Sequence, residues 1–459
     1  MLRKVLYLIV LCALVLSMNS CKRGSNKTSG SSPGLSQEWL HTKGFSRVSA
    51  FSEGLAGVYI EGEGGGYIDY TGEFVIPNRL YDVGPFIDGI AIVALMVGDE
   101  DYPFRYGLLN KNGELIVPIE YIWIGEAKEG LFPAQREVIQ GDKVEQEVDA
   151  EQGVNVEQEV EIDAGLISVY GFLGSSGEIV IPFEYDYADT FSEGLAVVSK
   201  DNMYGYIDKT GKTVIPFGYE LAFGFSEGLA AVSEYGKYGF INQSGKIVIP
   251  IELDYASKFS EGLAFVAKSE GGGSANWGYI DKSGNTAIPC VYLSANDFKG
   301  GISLVGMGDG SGNAYIDKTG KVIAKHADYL SVLSFSEGLA AVREVDGKWG
   351  FIDSTGRIAI ACEYEAVGEQ GFSSGLAAVK LDNKWGFIDT AGDIAIPCEY
   401  DILFEFVDGF AVAAKDSKCG VIDKSGNVIV PFVHEIIGHI GEGFAFAQDN
   451  GLWRLLSLN

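Results

Sequence analysis

The sequence contains few of the residues on which most catalytic and metal sites depend. Among 459 residues there are only four histidines and six cysteines. So few histidines leave little material for general acid–base catalysis, and no cysteine spacing matches a zinc site. We therefore predict no catalytic residues, no metal site, no cofactor and no enzymatic activity.

Positive charge is also scarce, because 34 lysines and arginines face 63 aspartates and glutamates, for a net charge of −29. A surface of this sign repels phosphate backbones, so we predict no nucleic-acid partner. Twelve prolines and sixty-two glycines indicate many tight turns. No segment shows helical periodicity, and the composition therefore favours an all-β fold.

The one long apolar run is at residues 5–16, after a basic start. Its length suits a signal peptide and is short for a membrane span. A small residue directly before Cys21 resembles the lipobox of bacterial lipoproteins, in which the cysteine is diacylated and becomes the mature N-terminus. We predict a signal peptide at residues 1–20, and a lipidated Cys21 with a flexible Gly/Ser-rich tether at residues 21–38. Plain secretion is the alternative.

The residues after Cys21 bear on the side of the membrane that the chain faces. Surface-displayed lipoproteins often carry acids there, whereas this sequence has Lys22 and Arg23. We predict a lipid-anchored protein of the bacterial cell envelope that faces the periplasm and contacts the membrane through its anchor only. Cell-surface display and secretion are the alternatives.

Residues 39–459 repeat one phrase, and the tightest spacing between copies is 34 residues. Copies of "FSEGLA", some of them loose, begin at Phe51, Phe86, Ala127, Phe191, Phe225, Phe259, Phe298, Phe335, Phe372, Phe406 and Ile440. Each copy continues with an apolar run such as "GLAVV", an aromatic run such as "YGYID", and a turn such as "KTGK" whose glycine should need a positive φ. A run such as "TVIP" follows, and its proline should end the strand. Each unit is therefore predicted to be an antiparallel meander of three or four strands.

These units resemble the WG repeat, also called the KWG repeat. The motifs that carry the resemblance are "KWGFIDSTGRIAI" at 348–360, "KWGFIDTAGDIAIP" at 384–397 and "NWGYIDKSGNTAIP" at 276–289. The first copy, at 65–77, lacks the aromatic residue of the motif. The resemblance covers about residues 45–459 and implies a tandem β-repeat fold. It brings no catalytic residues.

A single meander of about 34 residues cannot bury both of its faces, so it must stack on its neighbours. Propellers usually have about 4–8 blades of about 40–45 residues. We therefore predict an open, curved, solenoid-like array of about 10–11 tandem repeats. The array begins at 45–50 with the tail of a unit and ends with only the first two strands of another. In the alternative, a closed propeller-like toroid, these halves complete each other.

The copies differ most in the loop that precedes the WG strand. It lengthens at 95–104, at 267–275 and above all at 137–168, a hairpin-like and strongly acidic insertion. Because these insertions share one topological point, we expect them at one edge of the array, and such insertions often mark a binding face. Two interpretations of 137–168 remain open, namely contact with a basic partner and a solvated extension.

The aromatic position of the motif is the second candidate site. Its rings include Tyr204, Tyr238, Trp277, Trp349 and Trp385. Exposed rings at regular spacing would suit stacking on a glycan, whereas packing between repeats is the other interpretation. The recurring acids of "SEG" and "YID" are attributed to turn geometry or backbone capping.

Three cysteines share one position of the repeat, "IPCVY", "IACEY" and "IPCEY", at Cys290, Cys362 and Cys398. Other copies place Phe217 or Ile251 there. The exchange of Cys, Phe and Ile predicts a buried apolar position with packed thiols. A disulfide between Cys362 and Cys398 requires that the fold bring their Cα atoms within about 7 Å.

From these observations we predict a non-enzymatic, envelope-anchored repeat scaffold that mediates protein–protein interaction. Its partner would be an envelope protein, and a basic one if the acidic insertion contacts it. The alternative is a glycan- or peptidoglycan-binding module that uses the repeated Trp and Tyr rings.

Overall fold

The computed structural model describes residues 44–97, 103–139, 166–269, 276–325 and 328–458. The predicted signal peptide, Cys21 and the tether lie outside these residues, as does most of the insertion at 137–168. The described residues form 42 strands and no α-helix. Accordingly, this part of the chain contains no helix long and apolar enough to cross a membrane.

The strands form ten sheets, numbered here in chain order, and all pairing described is antiparallel. The strands of sheets 1 to 5 are β1 to β4 (Arg47–Val48, Ala56–Ile60, Gly64–Ile68, Phe74–Leu80), β5 to β8 (Asp82–Val83, Ile90–Met96, Phe104–Asn110, Leu115–Tyr121), β9 to β12 (Trp123–Ile124, Leu131–Ile139, Leu166–Gly174, Ile179–Tyr185), β13 to β16 (Tyr187–Ala188, Leu195–Lys200, Met203–Asp208, Thr213–Tyr219) and β17 to β20 (Leu221–Ala222, Leu229–Glu234, Lys237–Asn242, Ile247–Leu253).

Sheet 6 has seven strands, because β24 continues into the next repeat, and sheet 10 has three. The strands of sheets 6 to 10 are β21 to β27 (Tyr255–Ala256, Leu263–Lys268, Asn276–Asp281, Thr286–Ala295, Ile302–Met307, Asn313–Asp317, Val322–Lys325), β28 to β31 (Ser331–Val332, Leu339–Arg343, Trp349–Asp353, Ile358–Tyr364), β32 to β35 (Ala366–Ser373, Leu376–Leu381, Lys384–Asp389, Ile394–Tyr400), β36 to β39 (Ile402–Leu403, Phe410–Lys415, Lys418–Asp423, Val428–His434) and β40 to β42 (Ile436–Gly441, Phe444–Asp449, Leu452–Ser457).

The chain divides into two compact units, each described here by itself. The first comprises the described parts of Met1–Ala91, Asn110–Gly113 and His326–Asn459, and the second those of Ile92–Leu109 and Glu114–Lys325. None of the described sheets closes on itself. The predicted fold class, an all-β array of tandem meanders, is confirmed.

Sheet 4 shows how the repeat folds. The apolar strand β14 is buried along its length except at Lys200, as expected for a strand covered on both faces. A two-residue turn with positive φ at Asp201 and Asn202 joins it to β15, which is the geometry that matches the twist of a hairpin. The next turn has Gly211 at φ 81°, which confirms the predicted positive φ of the "KTGK" glycine.

The proline of "TVIP" does not end its strand, contrary to the prediction. Pro216 lies inside β16, which is the edge strand of sheet 4. Between the paired residues Tyr206–Ile215 and Tyr204–Tyr219, the partner strand β15 advances two residues while β16 advances four. The extra residues form a bulge, so the missing N–H of Pro216 costs the ladder nothing.

The bulge explains the glycine of the WG motif. A Cβ added to Gly205 would lie 2.8 Å from the carbonyl oxygen of Ile215 and 3.0 Å from the nitrogen of Phe217. The same position in sheet 8, Gly386, would place a Cβ 2.5 Å from the carbonyl oxygen of Ile396. The motif therefore needs glycine because the edge strand approaches the backbone at this point.

Within each unit, apolar cores lie between neighbouring repeats, so these repeats complete each other. The core between sheets 4 and 5 contains Tyr206 and Ile215 from one side and Phe225, Val232 and Ile241 from the other. The rings of Tyr206 and Phe225 are 5.0 Å apart. Equivalent ring pairs recur 4.7–5.0 Å apart at Tyr67–Phe86, Phe172–Phe191, Phe240–Phe259, Tyr279–Phe298, Phe351–Phe372 and Phe387–Phe406.

The polar residues of "FSEG" also link neighbouring repeats. The Ser192 hydroxyl donates to the carbonyl oxygen of Phe225 at 2.7 Å, and four other copies repeat this bond. The glutamate that follows the serine has a positive φ, as at Glu227 (56°), and its carboxylate accepts the N–H of Gly262 in the next repeat at 3.0 Å. The prediction that these acids cap backbone groups is confirmed.

The terminal half-units complete each other within the first unit. The backbone N–H and C=O of Phe45 exchange hydrogen bonds with those of Trp453, both at 2.9 Å, beside the last strand of sheet 10. The Phe45 side chain is fully buried against Phe74 and Phe446. In addition, Glu442 accepts the N–H groups of Glu53 and Gly54 at 2.9 and 2.8 Å.

Candidate functional site

The five candidate rings occupy the start of the third strand of their sheets and are all half-buried. Each packs at the margin of a core between repeats, and these rings are Tyr204, Tyr238, Trp277, Trp349 and Trp385. The packing between repeats that the sequence indicated is therefore present. A part of each ring nevertheless remains accessible.

The first repeat shows that the space of this ring is filled even where the motif lacks it. Gly65 stands at the aromatic position, and a Cβ there would lie 2.6 Å from the ring of Tyr59 on the paired strand. The Tyr59 hydroxyl donates to Asp82 at 2.8 Å and accepts the N–H of Val83. Tyr59 thus takes the place of the missing ring.

The structure brings two of the five candidates together in one aromatic cluster, Phe223, Tyr238, Tyr255, Phe265 and Trp277. Tyr255 lies 5.4 Å from Tyr238 and 5.2 Å from Trp277, measured between ring centroids. Phe265 stacks on Tyr255 at 5.9 Å with an interplanar angle of 16°. A smaller row contains Tyr204, whose ring is 6.1 Å from Tyr187. Trp349 stands apart from both groups, beneath the guanidinium of Arg343 at 6.0 Å.

A cavity of about 410 Å³ opens beside the aromatic cluster, between sheets 5 and 6 of the second unit. Three rings of the cluster, Phe223, Tyr255 and Phe265, line it together with Lys258 and Asp297. Oδ1 of Asp297 is buried and has no hydrogen-bond partner among the described residues. Buried polar atoms are nearly always paired in folded proteins, so this atom is an exception among the described residues, and its carboxylate stands at the edge of the cavity.

The sequence did not reveal this cavity, although it contained one usable signal. Phe265 takes a position that is Ala231 in the preceding repeat and Ala341 in a later one. Phe223 is 39% exposed, whereas phenylalanine side chains are most often buried. Asp297 carries no pattern of its own, because other repeats place unrelated residues before the phenylalanine.

The long loops all lie at the tips of hairpins between the second and third strands of a repeat, as predicted. Residues 98–102, 140–165 and 270–275 lie outside the described residues, but the strands that lead to them are paired. In sheet 3 that pairing extends to Ile139 and Leu166 and gives strands of nine residues, against six in sheet 4. The base of the predicted hairpin-like insertion is therefore an elongated ladder, which Arg105 supports by an ion pair with Glu137 at 3.0 Å.

The glutamates that link the repeats are paired with lysines. The bond from Lys209 at 2.9 Å holds the pKa of Glu129 below its ordinary value, against the opposing effect of burial. Burial raises the pKa of Glu261, but Lys318 and the N–H groups of two glycines outweigh it, and the net pKa is again lowered. These carboxylates are therefore ionised at neutral pH and engaged in structural contacts, which leaves them unsuited to proton transfer.

The cysteine position is half-buried rather than buried, both on the edge strands that carry Cys362 and Cys398 and on β24, an interior strand of sheet 6 that carries Cys290. Cys290, Cys362 and Cys398 are all free thiols of intermediate exposure, so no bond joins Cys362 to Cys398. Burial, with Glu344 nearby, raises the pKa of the Cys362 thiol to about 12. Such a thiol stays protonated at neutral pH and is a poor nucleophile.

A family model described as "WG containing repeat" matches ten segments that together cover more than half of the sequence. The matched residues are 66–95, 106–137, 170–204, 204–238, 238–270, 277–310, 314–349, 349–385, 385–419 and 420–453. The chain belongs to the WG-repeat family. Most of the matched segments run from one WG position to the next. The half-buried ring and the glycine of the WG motif therefore recur once in each of these repeats. No curated protein matches this WG-repeat chain.

Several solved structures are similar to the WG-repeat chain at low identity. A eukaryotic initiation factor has 8% identity and a TM-score of 0.43, over 90% of this chain and 98% of that one. The extracellular domain of the one-component system BT4673 from B. thetaiotaomicron has 10% identity and a TM-score of 0.25, over 92% and 82%. BamB from Moraxella catarrhalis has 13% identity and a TM-score of 0.25, over 60% and 97%.

Proposed function

We propose that this WG-repeat protein is a non-enzymatic scaffold of the bacterial cell envelope that holds a protein partner at its hairpin tips. One observation carries the proposal. Variation in length between repeats is concentrated at the hairpin between the second and third strands, while the contacts between repeats recur. The packing between repeats constrains the sequence of the strands. The hairpin tips are not constrained in this way, so their length and sequence can adapt to a partner.

The recurring polar residues support a role in contact rather than turnover. Ser192 and Ser226 donate to backbone carbonyl groups, and Glu227 accepts backbone N–H groups. Because these side chains serve the same structural purpose in several repeats, they do not form a site confined to one copy. The acidic residues between 137 and 163 favour a partner with a basic surface.

A hairpin replacement tests the protein-binding proposal. Replacing residues 140–165 by Asn-Gly would close the ladder directly after the opposed pair Ile139–Leu166, in the turn type that Asp201 and Asn202 already adopt. We expect the variant to remain folded and to lose an envelope protein that the unmodified chain enriches from detergent-solubilised envelope. The measurement is quantitative mass spectrometry of the captured proteins.

The matched control places the same Asn-Gly turn at a short tip, as Asp201→Asn with Asn202→Gly. It should capture the partner as well as the unmodified chain does. Capture that survives the removal of 140–165, or is lost equally in the control, would contradict the assignment of the binding face.

The envelope anchor is the second part of the proposal, and the sequence before residue 39 supports it. An apolar run precedes a small residue and Cys21, and Lys22 and Arg23 favour the periplasmic side. Cells fed a fatty-acid analogue should label the full-length chain, and Cys21→Ala should abolish the label. Cys12→Ala, which changes a cysteine inside the apolar run, should retain it. Label that persists in Cys21→Ala would exclude this anchor.

The second candidate function is glycan binding, and the cavity beside the aromatic cluster is the observation that favours it. Two of the predicted rings, Tyr238 and Trp277, belong to that cluster. The other three, Tyr204, Trp349 and Trp385, are half-buried at separate core margins. A glycan site at one cavity is thus better supported than a continuous ladder of rings.

A further inference from the structure

The cavity between sheets 5 and 6 has an aromatic wall with a defined geometry. Tyr255 and Phe265 stack nearly parallel, and Phe223 lines the opening with part of its ring exposed. Behind this wall, Trp277 lies 5.6 Å from Phe265 and Tyr238 lies 5.4 Å from Tyr255. The wall is therefore supported by rings already anchored in the core, and it is held in place without a ligand.

The polar groups of the cavity are few and have opposite charges. Asp297 and Lys258 both line the cavity, and Lys258 is exposed. The hydroxyls of Ser192 and Ser226 also line the cavity, but their protons are donated to the carbonyl groups of Phe225 and Phe259. The side chains that remain available to bind a ligand are thus Asp297, as a hydrogen-bond acceptor, and Lys258, as a donor.

We propose that this cavity binds a pyranose ring of a neutral sugar, with its C–H face on the aromatic wall and a hydroxyl donating to the carboxylate of Asp297. A sugar presents apolar C–H groups and hydroxyls together, which matches rings beside one acceptor and one donor. The volume of about 410 Å³ lies in the range of small-molecule sites. This assignment rests on the glycan-binding candidate function, and the protein-binding proposal does not depend on it.

A cationic ligand is the competing chemistry, because aromatic rings and a carboxylate also recognise ammonium groups. Lys258 disfavours it, since this residue lines the same cavity and its positive charge repels a second one. The neutral sugar is therefore the ligand class that suits both charged residues, and a cation becomes an outcome that the experiment must distinguish.

Two substitutions remove the proposed contacts with little risk to the fold. Phe265→Ala introduces the residue that Ala231 and Ala341 place at the same position of other repeats. Asp297→Asn retains the shape of the side chain and removes its charge. The control is Trp123→Ala, which removes a partly exposed ring that does not line the cavity and is not one of the five candidate rings. Thermal unfolding of each variant confirms that it is folded.

The experiment is calorimetric titration of the full-length chain with cellotriose, maltotriose and tri-N-acetylchitotriose, and separately with tetramethylammonium. We expect saturable binding of at least one trisaccharide at one site. Loss of a stacking or charge-assisted contact should weaken it about tenfold in Phe265→Ala and in Asp297→Asn. Trp123→Ala should leave the affinity unchanged.

Three results would overturn the proposal, and they are distinguishable. Trisaccharide binding that is indifferent to Phe265→Ala and Asp297→Asn would place the sugar elsewhere and leave the glycan function standing. Binding of tetramethylammonium but of no sugar would identify a cation site. Absence of binding by all four probes would remove both the cavity assignment and the glycan candidate.

Discussion

Gly205→Ala is expected to destabilise the protein by about 1–3 kcal/mol, the usual cost of overpacking. The added methyl group would lie 2.8 Å from the carbonyl oxygen of Ile215 and 3.1 Å from Cδ1 of Phe217. The nearest of these atoms belongs to the backbone of the bulged edge strand, so it cannot rotate away. The free energy of unfolding by urea measures the effect.

Gly218→Ala is the matched control, because it makes the same chemical change on the neighbouring strand of the same sheet. No atom lies within 4 Å of a Cβ added to Gly218. Alanine there should be neutral or slightly stabilising, since it reduces the freedom of the unfolded chain. If both variants unfold with the same free energy, the steric explanation of the WG glycine is wrong.

The strands and turns of this fold could be predicted because their signals are local. The buried run of β14, the aromatic run of β15 and the positive φ of Gly211 all follow from short stretches of sequence. Repetition strengthened each signal. The stacking of repeats also followed, since a meander of about 34 residues leaves two apolar faces uncovered.

The role of the proline could not be predicted, because it depends on which strand lies at the edge of the sheet. A proline such as Pro216 predicts the end of a strand. Between Ile215 and Tyr219, however, this strand has two residues more than its partner strand, and the resulting bulge lets it continue past the proline. The same edge position leaves Cys362 and Cys398 half-buried. Periodicity identifies an apolar position, but not how much of it a neighbouring strand covers.

The aromatic cavity could not be predicted either, because its parts are distant in sequence. Phe223 and Tyr255 precede the phenylalanines of successive repeats, Phe265 lies on an apolar strand and Asp297 follows a long fourth strand. Only the packing of sheet 5 against sheet 6 brings them together. The same packing brings the candidate rings Tyr238 and Trp277 into one cluster around Tyr255.

A single repeat cut from the chain is expected to be unfolded, and this is the largest effect predicted here. In sheet 5, Phe225, Val232 and Ile241 pack against sheet 4, whereas Leu229, Phe240 and Ile249 pack against sheet 6. All six side chains are at most 7% exposed. Burying each is worth about 1.5–3 kcal/mol, so losing both neighbours costs on the order of 10 kcal/mol. That is comparable to the whole stability of a typical domain.

The central claim is that each WG repeat is stable only through the repeats on either side of it. The most direct test compares residues 220–254, which contain sheet 5 alone, with residues 186–295, in which sheet 4 and the first four strands of sheet 6 flank it, by circular dichroism and amide NMR. We expect a disordered spectrum for the single repeat and a dispersed spectrum with cooperative unfolding for the longer fragment. Cooperative unfolding of residues 220–254 alone would contradict the account.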